Sequence, residues 1–425
     1  MAAPESVRRL PLPAWGPADL AAALGPGPVA VLDGLTWAGR RVTLVAWAPA
    51  ACAGSIAEAS AAADRVGLPP QAPALLGAAV GRLDWDGTGR FWVPGAAALF
   101  DPEAGELWVR GELPSVPGSA APASAASSGP DAPAPAAAAT AMPLWPYPAY
   151  AAAVREALAA MAAGRLTKVI LSVPFAAPCS LPPLQVYRRL TAGGPPGLGF
   201  LLQDGPGAGA LLGLSPEPLV FLEGRRARMH LLAGTRPAGR AAELAASPKD
   251  REEHAVAVEQ ARRDLEAVCL PGSVTVDGFM ELERHPGLVH LASRLSGTLR
   301  PEAGPADLVA ACFPAGTVGG IPREAARALI ERLEPIPRGW YAGALGAVLP
   351  GGGLQPWLTI RSLALQDGAV LVRTGAGLGP GSDPPAEGWG CMAKAGRALA
   401  AAGAALPPPA ELMGADGAAA GGDPR

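Results

Sequence analysis

Two side chains capable of acid–base chemistry stand in unusually apolar stretches of the sequence. Lys168 opens the run Lys-Val-Ile-Leu-Ser-Val-Pro, where burial would favour the neutral amine and make it a usable general base. Glu217 lies in Leu-Ser-Pro-Glu-Pro, and a carboxyl held in a rigid apolar turn can stay protonated and act as a general acid. Two plainer alternatives stay open: a lysine that snorkels at a strand edge, and an ordinary acidic turn residue.

A third candidate, Glu253, stands near the start of the clearest helical pattern in the chain. Ser247 can cap this helix, Pro248 suits its first position, and apolar residues recur at helical spacing through residues 247–269. A hard cation prefers carboxylate oxygens, so Glu253 is a candidate Mg²⁺ ligand. The alternative is an acidic first turn that stabilises the helix dipole.

The histidines give no comparable pattern. The chain has four histidines, which are His230, His254, His285 and His290. Their positions match neither the spacing of metal ligands nor the chain order of an acyl-transfer triad. His290, in Val-His-Leu-Ala-Ser, is predicted to be a strand histidine satisfied by hydrogen bonds rather than a catalyst.

The choice of basic residues singles out three positions. Of 34 basic residues only three are lysines, Lys168, Lys249 and Lys394, in a chain rich in Ala, Gly, Pro and Arg. A GC-rich coding bias would replace lysine by arginine wherever the two are equivalent. They are not equivalent where an amine must lose its proton, because the guanidinium stays charged. Each remaining lysine is therefore a functional candidate, with chance survival as the alternative.

A glycine-rich turn followed by an amphipathic helix occupies residues 313–333. Pro322 is predicted at the first helical position, and free N–H groups at such a helix start favour an anion. No Gly-Lys-Ser/Thr follows the glycines, and their spacing is wrong for a dinucleotide. A tight connection into a core helix is the competing interpretation.

Composition limits the partners and the compartment. Half of the 425 residues are apolar and the formal net charge is only -3, which argues against nucleic acid or an anionic membrane as the main partner. No secretory start segment and no bilayer-spanning apolar run are visible. The five cysteines are scattered and odd in number, as expected for reduced thiols in a cytoplasmic protein.

The order of predicted elements indicates an α+β fold built on large antiparallel sheets. Many strands follow one another in hairpin-like succession, with occasional long helices and no regular βαβ series. We expect four parts: an N-terminal part of the fold at 1–116, an Ala/Pro/Ser-rich linker or insertion at 117–143, a core at 144–402, and a disordered tail at 403–425.

Nine segments, taken together, resemble the chorismate-utilising enzymes, which include isochorismate and salicylate synthases, anthranilate synthase component I and aminodeoxychorismate synthase. They occur in the family's order over roughly residues 145–400: KVILS, LSPEPLV, LLAGTRP, SPKDREEH, VHLASRLSGTL, FPAGTVGGIPREAA, RGWYAGALG, LTIRS and GAGLGPGSDP. The resemblance implies the chorismate-binding α+β sandwich of large antiparallel sheets flanked by helices, with the site between the sheets.

The resemblance also implies a role for each matching residue. Lys168 matches the base that activates water, Glu217 the general acid for the departing hydroxyl, and Glu253 one ligand of an Mg²⁺ cofactor. The substrate is then chorismate, whose two carboxylates would be held by Gly234, Thr235, Tyr341, Arg361, Gly375 and Lys394.

Three departures from the family pattern bear on the metal and the reaction. Gly390 stands where the family has its second Mg²⁺ glutamate, and Glu387, one helical turn away, is the candidate substitute. Val173 replaces the usual arginine after the KVILS segment. Phe313 replaces the histidine typical of isochorismate and salicylate synthases, so that FPAGTV is more similar to the anthranilate branch.

The sequence therefore favours a Mg²⁺-dependent isochorismate synthase, because family members that use ammonia usually carry another residue at the position of Lys168. One alternative is an anthranilate or aminodeoxychorismate synthase component I with a glutamine amidotransferase partner. Another is a degenerate, non-catalytic family member. Either menaquinone or siderophore biosynthesis is compatible with the first of these.

Overall fold

The computed structural model describes residues 6–25, 27–116, 138–192, 197–205, 207–285 and 288–414. Its strands are β1 Val7–Pro11, β2 Val29–Trp37, β3 Arg40–Ala53, β4 Ala79–Leu83, β5 Gly89–Asp101, β6 Glu106–Arg110, β7 Ala139–Thr140, β8 Met142–Pro143, β9 Lys168–Pro178, β10 Leu198–Gln203, β11 Ala210–Ser215, β12 Phe221–Glu223, β13 Arg226–Pro237, β14 Thr275–His285, β15 Leu288–Thr298, β16 Gly320–Ile321, β17 Ala344–Val348, β18 Leu354–Leu358, β19 Ser362–Gln366, β20 Ala369–Leu378 and β21 Ala404–Ala405. Its helices are α1 Pro17–Ala23, α2 Ile56–Ala63, α3 Tyr147–Ala162, α4 Pro183–Thr191, α5 Ala241–Ala246, α6 Pro248–Glu266, α7 Pro305–Cys312, α8 Arg323–Leu333, α9 Pro384–Ala401 and α10 Pro409–Met413.

Nineteen of these strands form one antiparallel network that branches at β5. One arm runs from β5 through β3, β2, β10, β11, β19 and β20 to β9. The other runs through β4, β17, β18, β12, β13 and β15 to β14. Strands β2 to β5 from the N-terminal part of the chain therefore lie between strands of the predicted core within one sheet system. The predicted α+β fold with large antiparallel sheets and flanking helices is confirmed.

Strand β9 pairs with β20, β8 and β16, and its sequence reflects burial on both faces. Seven consecutive residues, 169–175, are buried, and all of them except Ser172 are apolar, so the strand shows no alternation of apolar and polar residues. Val173 and Phe175 face an apolar cluster formed with Trp145 and Tyr150 next to α3. Because side chains alternate along a strand, residues 168, 170 and 172 share the opposite face.

Helix α6 covers β13 and β15 and begins where the sequence predicts. The Ser247 hydroxyl accepts a hydrogen bond from the Asp250 N–H, and Pro248 is the first helical residue. Apolar residues such as Val258, Ala261 and Leu265 are buried against the sheet. Since β13 carries residues 234 and 235, this packing places the first turn of α6 beside them.

Two predictions from the sequence were wrong. Pro322 is the N-cap of α8 rather than its first helical residue. The tail predicted as disordered contains β21 and α10, because β21 pairs with β7 and the Met413 side chain is buried. Residues 415–425 lie outside the described part of the chain.

The predicted linker at 117–143 is described only from residue 138. There, β7 and β8 pair with β21 and β9 respectively, so residues 139–143 belong to the folded body. The remainder of the linker prediction, residues 117–137, lies outside the described residues. Within the described ranges, no helix is long and apolar enough to cross a membrane.

Candidate active site

Lys168 projects from the start of β9 toward α6. Its Nζ lies 3.7 Å from Glu253 Oε2, and 17% of its side chain is exposed. A Cβ atom at Gly377 would come within 3.3 Å of Lys168 Cε, so a glycine in the paired strand β20 leaves room for this side chain. Burial, and secondarily the charge of Lys168, lowers the pKa of His254 to about 4. His254 is therefore neutral near pH 7, and its Nε2 contacts Ser293 Oγ at 2.7 Å.

The backbone of β18 holds the backbone of Glu217 in place. Its carbonyl accepts a hydrogen bond from the Leu358 N–H at 2.9 Å, and the next residue, Pro218, bridges to Trp357. Burial raises the pKa of the Glu217 carboxyl to about 7, while the Thr317 hydroxyl and the charge of Lys168 act in the opposite direction. A carboxyl with that pKa is partly protonated at neutral pH, as a general acid requires.

Two cations stand close to this acid–base pair and lack carboxylate partners. Lys394 donates from Nζ to the Gly375 carbonyl at 2.8 Å, and no ion pair joins it to a described residue. Arg361 is solvent-exposed on one side, yet protein encloses its guanidinium enough to lower its pKa. Among the described residues, the Arg361 guanidinium has no hydrogen bond or ion pair. Burial lowers the pKa of Lys394, and the charges of Arg361 and Lys168 lower it further.

Tyr341 and Gly375 meet beside these cations. The Tyr341 side chain is buried, and a Cβ at Gly375 would lie 2.7 Å from its hydroxyl oxygen, so only glycine permits this approach. Tyr341 is also close enough to Arg361 to act on its pKa. The structure thus gathers Lys168, Glu217 and most of the predicted carboxylate-binding residues around one cleft.

Gly234 and Thr235 lie farther along the wall, at a bulge in β13. Gly234 has a φ of +60°, and a Cβ there would meet Leu244 at 2.7 Å, so both its backbone conformation and its surroundings favour glycine. Its carbonyl contacts His290 Nδ1 at 3.2 Å. This histidine therefore borders the site at Gly234, whereas its sequence context alone indicated only a strand position.

Two carboxylates border the loop of residues 379–383, where the predicted Mg²⁺ would lie. A Cβ at Gly379 would be 3.7 Å from Glu253 Oε1, and Glu387 accepts a hydrogen bond from Ser382 Oγ at 2.7 Å. Among the described residues, no group of three or more His, Cys, Asp or Glu side chains could hold a metal. Mg²⁺ commonly takes only one or two carboxylates and keeps several waters, so this donor set fits it.

A buried ion pair that was not predicted from the sequence supports the cleft from behind. Glu334 and Arg338, with side chains 3% and 1% exposed, form a salt bridge at 2.8 Å. Glu334 also accepts hydrogen bonds from the Ser172 N–H and hydroxyl. The Arg338 guanidinium lies 5.7 Å from the centre of the Tyr341 ring. The pair therefore connects β9 to a predicted substrate-binding residue.

The motifs of this cleft are those of a known enzyme family. A family model described as chorismate binding enzyme matches residues 77–400, which is most of the chain. The protein belongs to this family, and the resemblance seen in the sequence is confirmed.

Among curated relatives, anthranilate synthase component 1 of Arthrobacter globiformis is 38% identical over 261 residues, which cover 59% of this chain and 49% of the relative. Anthranilate synthase component 1 of Thermus thermophilus is 33% identical over 315 residues, with coverage of 70% and 64%. The matched region thus spans about half to two thirds of the length of these relatives.

Solved structures from two branches of the family share the fold. Anthranilate synthase component I from Streptococcus pneumoniae superposes with a TM-score of 0.73 at 22% identity, covering 86% of this chain and 93% of that one. The menaquinone-specific isochorismate synthase from Escherichia coli gives 0.75 at 21% identity, covering 94% and 95%. At these identities the likeness establishes the fold and leaves the reaction to the site residues.

Proposed function

We propose that this protein is an isochorismate synthase, which converts chorismate to isochorismate by adding water at C2 with loss of the C4 hydroxyl. The observation that carries the proposal is the placement of Lys168 and Glu217, an amine and a carboxyl with a raised pKa, within electrostatic reach of each other. Sequence relatives named anthranilate synthase favour a different product, but family members that use ammonia usually carry another residue at the position of Lys168.

The two side chains divide the proton transfers between them. Lys168 accepts a proton from water on its Nζ while the water oxygen forms its bond to C2. Both ring double bonds shift, the C4–O bond breaks, and Glu217 gives its proton to the departing hydroxyl, which leaves as water. Lys168 has then gained one proton and Glu217 has lost one, so the pair returns to its starting state by exchanging that proton with solvent.

The unpaired cations supply the affinity for a dicarboxylate. Arg361 offers a planar fork to one carboxylate, and Lys394 a point charge close by. Gly234, Thr235 and Gly375 supply backbone close to the ligand, and Tyr341 supplies a hydroxyl. Because the described structure gives Arg361 no side-chain partner, a substrate carboxylate would be the first group to satisfy it.

Glu253 and Glu387 are the residues that would hold Mg²⁺ in this proposal. When bound, the ion would neutralise part of the substrate's negative charge. A Cβ at Gly390 would meet nothing within 4 Å, so the position of the family's second glutamate is open rather than filled by another side chain. The chain's own carboxylates still number two, which suffices for an ion that retains waters.

A second candidate function is that of an aminase, which would give anthranilate or aminodeoxychorismate with a glutamine amidotransferase as partner. Relatives at 33–38% identity bear the name anthranilate synthase component 1, and FPAGTV is similar to that branch. In this case ammonia rather than water would supply the incoming group, which ends at C2 in anthranilate and at C4 in aminodeoxychorismate. Lys168 would then have no water to activate.

The product formed by the purified chain from chorismate and Mg²⁺, with and without ammonium, tests the proposal. We expect isochorismate in both conditions, and its loss in Lys168→Ala and on chelation of the metal. Lys249→Ala is the matched control, because Lys249 is exposed on the first turn of α6. Amino products without isochorismate would establish the aminase instead. Normal turnover in Lys168→Ala would exclude its role as the base, and no turnover under any condition would indicate a non-catalytic member.

A further inference from the structure

A small cavity is lined by Glu217 and by none of the predicted carboxylate-binding residues. It has a volume of about 20 Å³ and is walled by α6, α7 and the loop that precedes β16. Its polar lining consists of Glu217, Gln260, Asp264 and Thr317, and Ala257 and Ala261 form part of its apolar wall. A space of this size holds one water molecule when at least two polar groups line it.

One of the lining groups is incompletely satisfied. Thr317 Oγ1 is buried and lies close enough to the Glu217 carboxyl to lower its pKa, yet no hydrogen bond of ordinary geometry joins it to a described residue. A buried hydroxyl left in that state costs about 1–3 kcal/mol, so native structures usually supply a partner, often water. The orphan hydroxyl and the water-sized polar cavity are independent observations that indicate the same occupant.

The opposite wall of the cavity is a fixed acceptor. Asp264 receives hydrogen bonds from Gln260 at 2.7 Å and from Arg323 at 2.6 Å, one on each carboxylate oxygen. Each oxygen keeps a second lone pair for a further donor. Arg323 also donates to the carbonyls of Pro314 and Ala311, so the Asp264–Arg323 pair ties α6 to the segment that carries Thr317.

We propose that this cavity binds one structural water that joins Glu217 to Asp264. The water accepts a hydrogen bond from the Thr317 hydroxyl and donates one hydrogen bond to each carboxylate. Asp264 and Thr317 are then positioning residues for Glu217, since neither needs to touch the substrate. The catalytic meaning of this arrangement rests on the proposed role of Glu217 as the general acid.

The effect of the water follows from the charges around Glu217. Lys168 faces it from β9, Asp264 from α6, the buried thiol of Cys312 from α7, and Arg323 from α8 through Asp264. Burial raises the pKa of both Glu217 and Asp264. A hydrogen bond donated by the water favours the ionised form of Glu217, so the water limits how far burial raises the pKa of that carboxyl.

The test uses Ala261→Val, which adds two methyl groups to the cavity wall and leaves every charged group in place. A high-resolution crystal structure of the unaltered protein should show the water between Glu217 and Asp264, and the variant should exclude it. Infrared spectroscopy can follow the titration of the Glu217 carboxyl, whose band is assigned by its loss in Glu217→Gln. In Ala261→Val the midpoint of this titration should lie about one pH unit higher than in the unaltered protein, the shift expected for a carboxylate that loses one hydrogen bond.

Ala257→Val is a second cavity-filling variant, for use if Ala261→Val does not fold. Ala267→Val is the control, because it adds the same volume at the exposed C-terminal end of α6 and should leave the midpoint unchanged. A cavity without water in the unaltered protein would overturn the proposal, and so would an unchanged midpoint in a folded, cavity-filled variant. None of these measurements depends on the product, so failure of the proposed function would be recognised separately.

Discussion

The buried pair of Glu334 and Arg338 provides a sharp test of what stabilises the candidate site. We predict that Glu334→Gln lowers the free energy of unfolding by about 3–5 kcal/mol, the range for a buried ion pair that loses one partner. The substitution keeps the size of the side chain but leaves the Arg338 guanidinium without a counter-charge. Water cannot compensate, because that side chain is only 1% exposed.

The other contacts of the pair explain why the structure cannot relax around the loss. Arg338 donates to the carbonyls of Ile170 at 2.6 Å and Val318 at 2.8 Å, and its guanidinium lies 4.3 Å from the centre of the Trp85 ring. Rotating the guanidinium toward solvent would break both hydrogen bonds and leave two buried carbonyls unsatisfied. The charge therefore stays in place, and its desolvation is no longer offset.

Urea unfolding followed by circular dichroism measures this difference. Glu331→Gln is the matched control, because Glu331 pairs with Arg327 at the same four-residue spacing but on the exposed face of α8. We expect it to cost no more than about 0.5 kcal/mol. Replacing both partners, Glu334→Leu with Arg338→Met, should recover part of the loss, since no unpaired charge remains. A loss below about 1 kcal/mol for Glu334→Gln alone would refute the reasoning.

Two further predictions concern the reaction. Turnover should fall as the pH rises through about 7, because Glu217 must be protonated to act and its pKa is raised to that value. Glu217→Gln should lower kcat about 10²–10⁴-fold and abolish this decline of turnover at high pH. A variant that kept the same decline would contradict the assignment. Gly390→Glu should lower the Mg²⁺ concentration needed for half-maximal activity, because the open space at Gly390 admits a third carboxylate; an unchanged requirement would place the metal elsewhere.

The sequence predicted the local elements around the site because their signals are local. The apolar run after Lys168 predicted a strand, and β9 follows it closely. Ser247 and Pro248 predicted the start of α6, and the structure begins the helix there. These features depend on side-chain preferences within a few residues, so no knowledge of the tertiary structure was needed.

Other features arise only when distant segments meet. Glu334 and Arg338 lie in a proline-rich connection, and nothing in that segment indicates that Ser172, 162 residues away, would be their neighbour. The same holds for α10. Its sequence resembles the rest of a small-residue tail, and only the packing of the Met413 side chain against apolar residues shows that it belongs to the fold. Neither feature carries a local pattern, so each was missed for the same reason: its stability comes from tertiary packing.

The distribution of charge across the cleft explains where a dianionic ligand would bind. Behind Tyr341, the charge of Arg338 is neutralised by Glu334, and Arg373 is held by the carbonyls of Ile336 and Pro337. On the open side, Arg361 has no described partner and Lys394 has only a carbonyl. An unneutralised cation in a partly enclosed cleft attracts anions far more strongly than one in bulk water, because the low-dielectric walls concentrate its field. Around Tyr341, the uncompensated positive charge among the described residues therefore lies on the side where Lys168 and Glu217 stand. Under the proposed function, binding of the two carboxylates there would also present the ring to the acid and the base.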